Sequence, residues 1–87
     1  MASYELVFKK SVAKDLRRLP QQDVLRILER IRSLAEDPRP LGCEKLSTLE
    51  RYRIRVGIYR VVYEIQDRIL TVLIVKIAHR SGVYRRK

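Results

Sequence analysis

The stretch Glu50-Arg-Tyr-Arg-Ile-Arg-Val-Gly-Ile-Tyr-Arg-Val-Val-Tyr-Glu64 constrains the fold of this chain more than any other. Apolar and basic residues alternate through it, the pattern of strands covered on one side. Gly57-Ile58 suits a two-residue hairpin turn, because glycine tolerates the positive φ at the first position of a type II′ turn. That turn sets Val56 opposite Tyr59, Arg55 opposite Arg60, Ile54 opposite Val61 and Tyr52 opposite Tyr63. The apolar residues of both strands then share one face, and Arg53, Arg55 and Arg60 gather on the other. Like charges directly opposite each other cost stability, so this arrangement points to an anion outside the fold. Phosphate is the natural choice, since a planar guanidinium can grip two of its oxygens at once. A solvated basic face explains the same pattern and stays open at this level. Arg51, opposite Glu64, is expected to form a cross-strand ion pair.

The rest of the chain supplies a cover for the apolar face. Tyr4 to Phe8 is short and β-prone, a first strand with Glu5 outside. Ser11 is placed to cap a first helix with Val12, Ala13, Leu16 and Leu19 on one face and Lys14, Arg17 and Arg18 on the other. Pro20 ends that helix and suits the start of a second. Over residues 21–36, Val24, Ile27, Leu28, Ile31, Leu34 and Ala35 recur at helical spacing opposite Arg26, Glu29, Arg30 and Arg32. Asp37-Pro-Arg-Pro40 stops it. After the hairpin, Gln66-Asp67-Arg68 makes a turn, and Ile69 to Ile77 reads as a central strand. A three-residue turn puts Thr71, Leu73, Val75 and Ile77 on the apolar face, with Lys76 and Arg80 beside the arginines; a two-residue turn reverses this. The expected fold is α+β, β-α-α-β-β-β, with two N-terminal helices packed on one face of a small antiparallel-rich sheet.

Charge narrows the partners. The 87 residues, expected to form a single domain, carry a formal net charge of +10, which favours RNA, DNA or an acidic protein. Residues 1–49 contribute +3 and residues 50–87 contribute +7, so the excess lies in the half that bears the hairpin. The lone cysteine, Cys43, lacks a partner for a disulfide or a metal and is read as a small loop or core residue. No secretory leader precedes the first patterned segment, and the apolar stretch Ile69 to Val75 is too short to span a bilayer. A cytoplasmic protein without a membrane partner is expected.

The chain has no phosphate-cradling glycine loop, no nucleophile elbow and no carboxylate cluster suited to Mg²⁺. Phosphoryl-transfer chemistry here is therefore expected to need neither metal nor cofactor. RNA cleavage meets that condition, because the 2′-OH supplies the nucleophile. The protein has to orient that hydroxyl, take its proton, stabilise the added negative charge and protonate the departing 5′-oxygen. His79, the one histidine, is a candidate base, with an ordinary pKa of about 6.5. A structural role near the strand end is the alternative. Tyr84 can stack on a base or take part in proton transfer.

Taken together, Lys45-Leu46, Tyr52-Arg-Ile-Arg-Val-Gly57, Tyr59-Arg-Val-Val-Tyr-Glu64, His79-Arg80 and Val83-Tyr84 resemble the RelE/ParE superfamily of bacterial and archaeal toxins from type II toxin–antitoxin systems, over essentially the whole chain. The resemblance implies a RelE-type mRNA endonuclease that cuts the codon in the ribosomal A site, inhibits translation and serves a stress response. It implies a cognate antitoxin, with operator DNA bound indirectly through the antitoxin complex. Carried over by position, it implies that Arg53 and Arg55 are the paired basic sites and Arg60 the arginine on the transition-state phosphate. Arg80 would protonate the leaving oxygen, and Tyr84 would stack on the substrate. Lys45, Lys76, Arg85 and Arg86 join Arg53 and Arg55 as expected RNA or phosphate contacts. Two departures stand out. Arg55 replaces a lysine proposed as general base, and guanidinium hardly deprotonates. With three residues after Tyr84, a long C-terminal helix seen in some relatives is not expected.

Overall fold

The computed structural model describes residues 3–46 and 50–79. Its elements are β1 (Glu5–Phe8), α1 (Lys10–Arg17), α2 (Gln21–Ser33), β2 (Glu44–Lys45), β3 (Arg51–Val56), β4 (Tyr59–Gln66) and β5 (Thr71–His79). They build a five-stranded sheet in the order β1-β5-β4-β3-β2, in which β1 runs parallel to β5 and every other pair is antiparallel. The α+β architecture expected from the sequence is therefore present. The two-residue edge strand β2 is an addition, too short to leave a periodic signal.

Both helices contribute to one core. Val12 of α1 and Ile27 and Ile31 of α2, with Leu34 just beyond it, are buried against Tyr52, Ile54, Val56, Tyr59, Val61, Tyr63, Ile65, Val72, Ile74 and Ile77 of the sheet. Leu16, Leu19 and Leu28 pack at the margin, whereas Ala13, expected on the buried face, is exposed. Ser11 is not the cap of α1. The N–H of Lys9 still bonds to the carbonyl of Ile74, at 3.1 Å, which keeps the chain extended as far as Lys9. The helix then starts at once, and Ser11 falls in its first turn. α2 closes at Ser33, three residues short of the expected end, and its last turn relaxes through Leu34 to Glu36. Asp15 fastens α1 to the sheet by accepting the N–H of Ile77 at 3.2 Å. Cys43 is half-buried against the core, in agreement with its sequence reading.

The β3–β4 hairpin has the register read from the sequence at every pair, from Arg51 opposite Glu64 to Val56 opposite Tyr59. Gly57 has φ +60° and Ile58 does not share that sign, which is the II′ rather than the I′ pattern. The expected Arg51–Glu64 ion pair is not made. The two residues are opposite, but the buried Nε of Arg51 finds no acceptor among the described residues.

The facing of β5 departs from expectation. Gln66 belongs to β4 and pairs with Thr71, so four residues, 67–70, make the connection; they form a 3-10 turn closed by Leu70 at φ 47°. Val72 and Ile74 therefore enter the core, and Thr71 and Leu73 lie on the other face, the reverse of the three-residue-turn reading. A bulge then restores the expected parity. Val62 pairs with Lys76 while the adjacent Tyr63 pairs with Ile74, so Val75 has no opposite number. Beyond it Ile77 is buried and Lys76 lies outside, as the sequence suggested.

Candidate nucleic-acid interface

One face of the sheet carries the helices; the other carries the basic residues. On the helix-free face the register forms two neighbouring rows. The first runs Glu44, Arg53, Val62, Lys76 across β2, β3, β4 and β5. The second runs Arg55, Arg60, Ala78 across β3, β4 and β5. Strands lie about 4.8 Å apart, so these cations fall within about 10–15 Å of one another, the scale of one or two backbone phosphates. Ala78 leaves the surface low beside Arg60. The sequence-predicted trio Arg53, Arg55 and Arg60 is thus brought together, with Lys76 at its edge.

The three guanidiniums differ in setting. Arg55 is exposed. Arg60 is half-buried, and its Nε, shut off from water, has no hydrogen-bond acceptor among the described residues. A buried donor left unmade costs about 1–3 kcal/mol, so the fold holds this cation in place against a penalty. Arg53 is engaged: its Nε donates to Oε1 of Glu44 at 2.9 Å, and its Nη2 donates to the same oxygen. Those bonds, reinforced by the charges of Arg55 and Arg60, hold the Glu44 carboxyl below its ordinary pKa. Glu44 was missed from the sequence because an edge strand of two residues has no alternation to read; pairing with β3 alone puts it beside Arg53.

Other candidates lie elsewhere. Lys45 pairs with Tyr52, a core-facing residue, and so stands on the opposite side from the arginines. Its Nζ donates to Glu50 at 3.1 Å and lies 5.9 Å from the Tyr52 ring centre. His79 pairs with Tyr59, also on the helix side, with the two rings edge to face at 5.9 Å. There it borders a cavity of about 350 Å³ between the α1–α2 corner and the strand ends, lined also by Asp15, Arg18, Leu19, Pro20 and Ile77. Arg80, Tyr84, Arg85 and Arg86 lie outside the described residues.

A second polar cluster, also absent from the sequence reading, ties the far end of the sheet. Arg39 donates to Glu50 and Asp67, each at 2.9 Å, and through Nε to the Tyr52 hydroxyl at 3.1 Å. Tyr4 donates to Asp67 at 2.6 Å. These bonds lower the Asp67 and Glu50 pKa values, in both cases chiefly through Arg39. Every member is already partnered within the cluster, which is what a clasp between loop and sheet requires. Among the described residues no group of three or more His, Cys, Asp or Glu side chains is arranged to hold a metal ion. No helix among the described residues is long and apolar enough to cross a membrane.

Residues 6–84 match the family described as ParE toxin of type II toxin–antitoxin system, parDE. The toxin RelG of Mycobacterium tuberculosis is 32% identical, over 95% of this chain and 98% of its own length. The toxin–antitoxin complex RelBE2 of the same organism contains a chain that superposes with a TM-score of 0.82 at 27% identity, covering 93% of this chain and 95% of that one. A chain of the archaeal RelE–RelB complex from Pyrococcus horikoshii does so with a TM-score of 0.77 at 31% identity, covering 90% and 96%. Matched along nearly its whole length in sequence and in fold, this chain belongs to the ParE toxin family and is a type II toxin–antitoxin toxin of the RelE/ParE superfamily.

Proposed function

We propose that this toxin is a metal-free, ribosome-dependent mRNA endonuclease of the RelE type. It acts in the cytoplasm as a single domain and is neutralised by a cognate antitoxin. The observation that carries the reading is the convergence of Arg53, Arg55 and Arg60 on the helix-free face of the sheet. In the cleavage step the RNA 2′-oxygen attacks the adjacent phosphorus, its proton leaves, and the 5′-oxygen departs with a proton. Negative charge grows on the phosphoryl oxygens, and arginines held in place beforehand stabilise it without reorganising. Arg60, fixed by the strand and short of acceptors, suits that role best; Arg55 and Arg53 suit the flanking backbone. Arg80 and Tyr84 are assigned the leaving-group proton and base stacking through the family resemblance. His79 faces the helices, away from the arginines, and is given no part in this step. The RelE-named toxins solved with antitoxins support a protein partner for this chain, through which operator DNA is contacted.

The matched family is described by the name ParE, which favours a second reading: a protein that poisons DNA gyrase without nuclease activity. Primer extension on mRNA in programmed ribosomes separates the two. Codon-aligned cuts by the wild type, reduced about 10²–10³-fold in Arg60→Ala and strongly in Tyr84→Ala, are expected from the nuclease. Absence of cuts by a growth-inhibiting wild type, with gyrase-linked DNA breaks in cells, assigns the second.

A further inference from the structure

Glu44 is out of place on the arginine platform. A carboxylate among cations meant for phosphate competes with the ligand, yet the register of β2 against β3 sets it directly beside Arg53. It takes the Nε and Nη2 edge of that guanidinium, the fork with which arginine grips phosphate. Both bonds converge on Oε1, and Oε2 has no acceptor or donor partner among the described residues. The carboxylate is half-exposed, with 50% of its side chain accessible, and its strand is two residues long at the sheet edge. A solvent-screened ion pair at a sheet edge contributes little net stability, so it can be exchanged for a better anion.

We propose that Glu44 is a built-in competitor for the Arg53 phosphate site, a carboxylate that keeps Arg53 occupied until an RNA phosphate, aligned by Arg55 and Arg60, displaces it. The consequence is discrimination. A single phosphate or a loosely held polyanion has to break the Arg53–Glu44 pair for one contact. A strand already seated on Arg55 and Arg60 makes the exchange intramolecularly, where the effective concentration is high. Glu44 thereby weakens indiscriminate RNA binding more than productive docking. The inference rests on the reading of the arginine face as an RNA site and adds a specificity-determining residue to it.

The test is fluorescence anisotropy with a labelled single-stranded 2′-O-methyl oligoribonucleotide, which lacks the attacking hydroxyl, across a salt series. Glu44→Gln is expected to bind about threefold more tightly than wild type. Its plot of log K against log salt should steepen by about 0.7, one added phosphate contact. In an Arg53→Gln background the same change should give no more than Glu29→Gln, an exposed carboxylate on α2 that controls for net charge. Equal effects of Glu44→Gln with and without Arg53 overturn the proposal, as does weaker binding, which makes Glu44 a support for Arg53. No binding by any variant overturns both this inference and the RNA reading. Arg53-dependent tightening without cleavage on programmed ribosomes keeps the competitor and discards the nuclease.

Discussion

Arg60 and Tyr63 show how neighbouring residues of one strand serve different ends. Tyr63 is fully buried, and its hydroxyl donates to the carbonyl of Pro38 at 2.7 Å, which holds the proline loop to the sheet. Burial pushes its pKa well above the ordinary tyrosine value, so it stays a donor throughout the accessible pH range. Tyr63→Phe leaves that carbonyl without its donor and is expected to cost about 1–3 kcal/mol in urea unfolding, with the fold intact by circular dichroism. Gly57 is a backbone requirement rather than a packing one. A Cβ there would meet nothing closer than Arg26 Nη1 at 3.7 Å, but φ +60° is unfavourable for any side chain. Gly57→Ala is expected to lower stability by about 1 kcal/mol by the same measurement. At this scale the sequence put Arg53, Arg55, Arg60 and Lys76 on the sheet face that they occupy. It did not show Glu44 or Arg39, because each takes its role from a partner on another element.

The elements carry their own consequences. In β5 the Val75 bulge reconciles two facing schemes, one with Val72 and Ile74 inward and the other with Ile77 inward and Lys76 outward. Deleting Val75 removes the extra residue and leaves a regularly alternating strand, with Val72, Ile74 and Ile77 still inward and Leu73 and Lys76 still outward. The variant is therefore expected to keep the fold, with stability within about 1 kcal/mol of wild type in denaturant titration followed by tyrosine fluorescence; failure to fold would show that the bulge itself is required. The Arg39 clasp joins the loop before β2 to β3 and to the turn before β5. Its carboxylates, Glu50 and Asp67, have folded-state pKa values below their ordinary ones, so their contribution is complete above the unfolded-state values near 4. It is lost as pH falls through the lower folded-state values. The urea midpoint should therefore decline on acidification from about pH 5 downward, and Arg39→Gln should flatten that decline. A mutant with an unchanged acid limb would show that the clasp contributes nothing to the pH dependence.

The whole molecule divides its labour by sheet face: helices and core on one, basic residues on the other. Alternation of side chains along β3 and β4, with a glycine at the only place a short turn fits, specified that division locally. Strand parity and a two-residue loop are short-range properties, so the hairpin register and the arginine trio were readable before any tertiary structure. The helices were readable too, from their apolar spacing, although their ends moved where β1 ran on into Lys9 and α2 relaxed after Ser33. Tertiary structure alone decided what depends on distant pairing. The parallel seat of β1 beside β5, the length of the 67–70 connection and the bulge at Val75 follow from the competition among strands for ladder bonds and core space. The same pairing turned His79 and Lys45 away from the arginines and brought Glu44 to Arg53. A linear pattern states which side of its own strand a residue occupies; which strand lies alongside, and in what register, is settled only when the sheet closes over a single core.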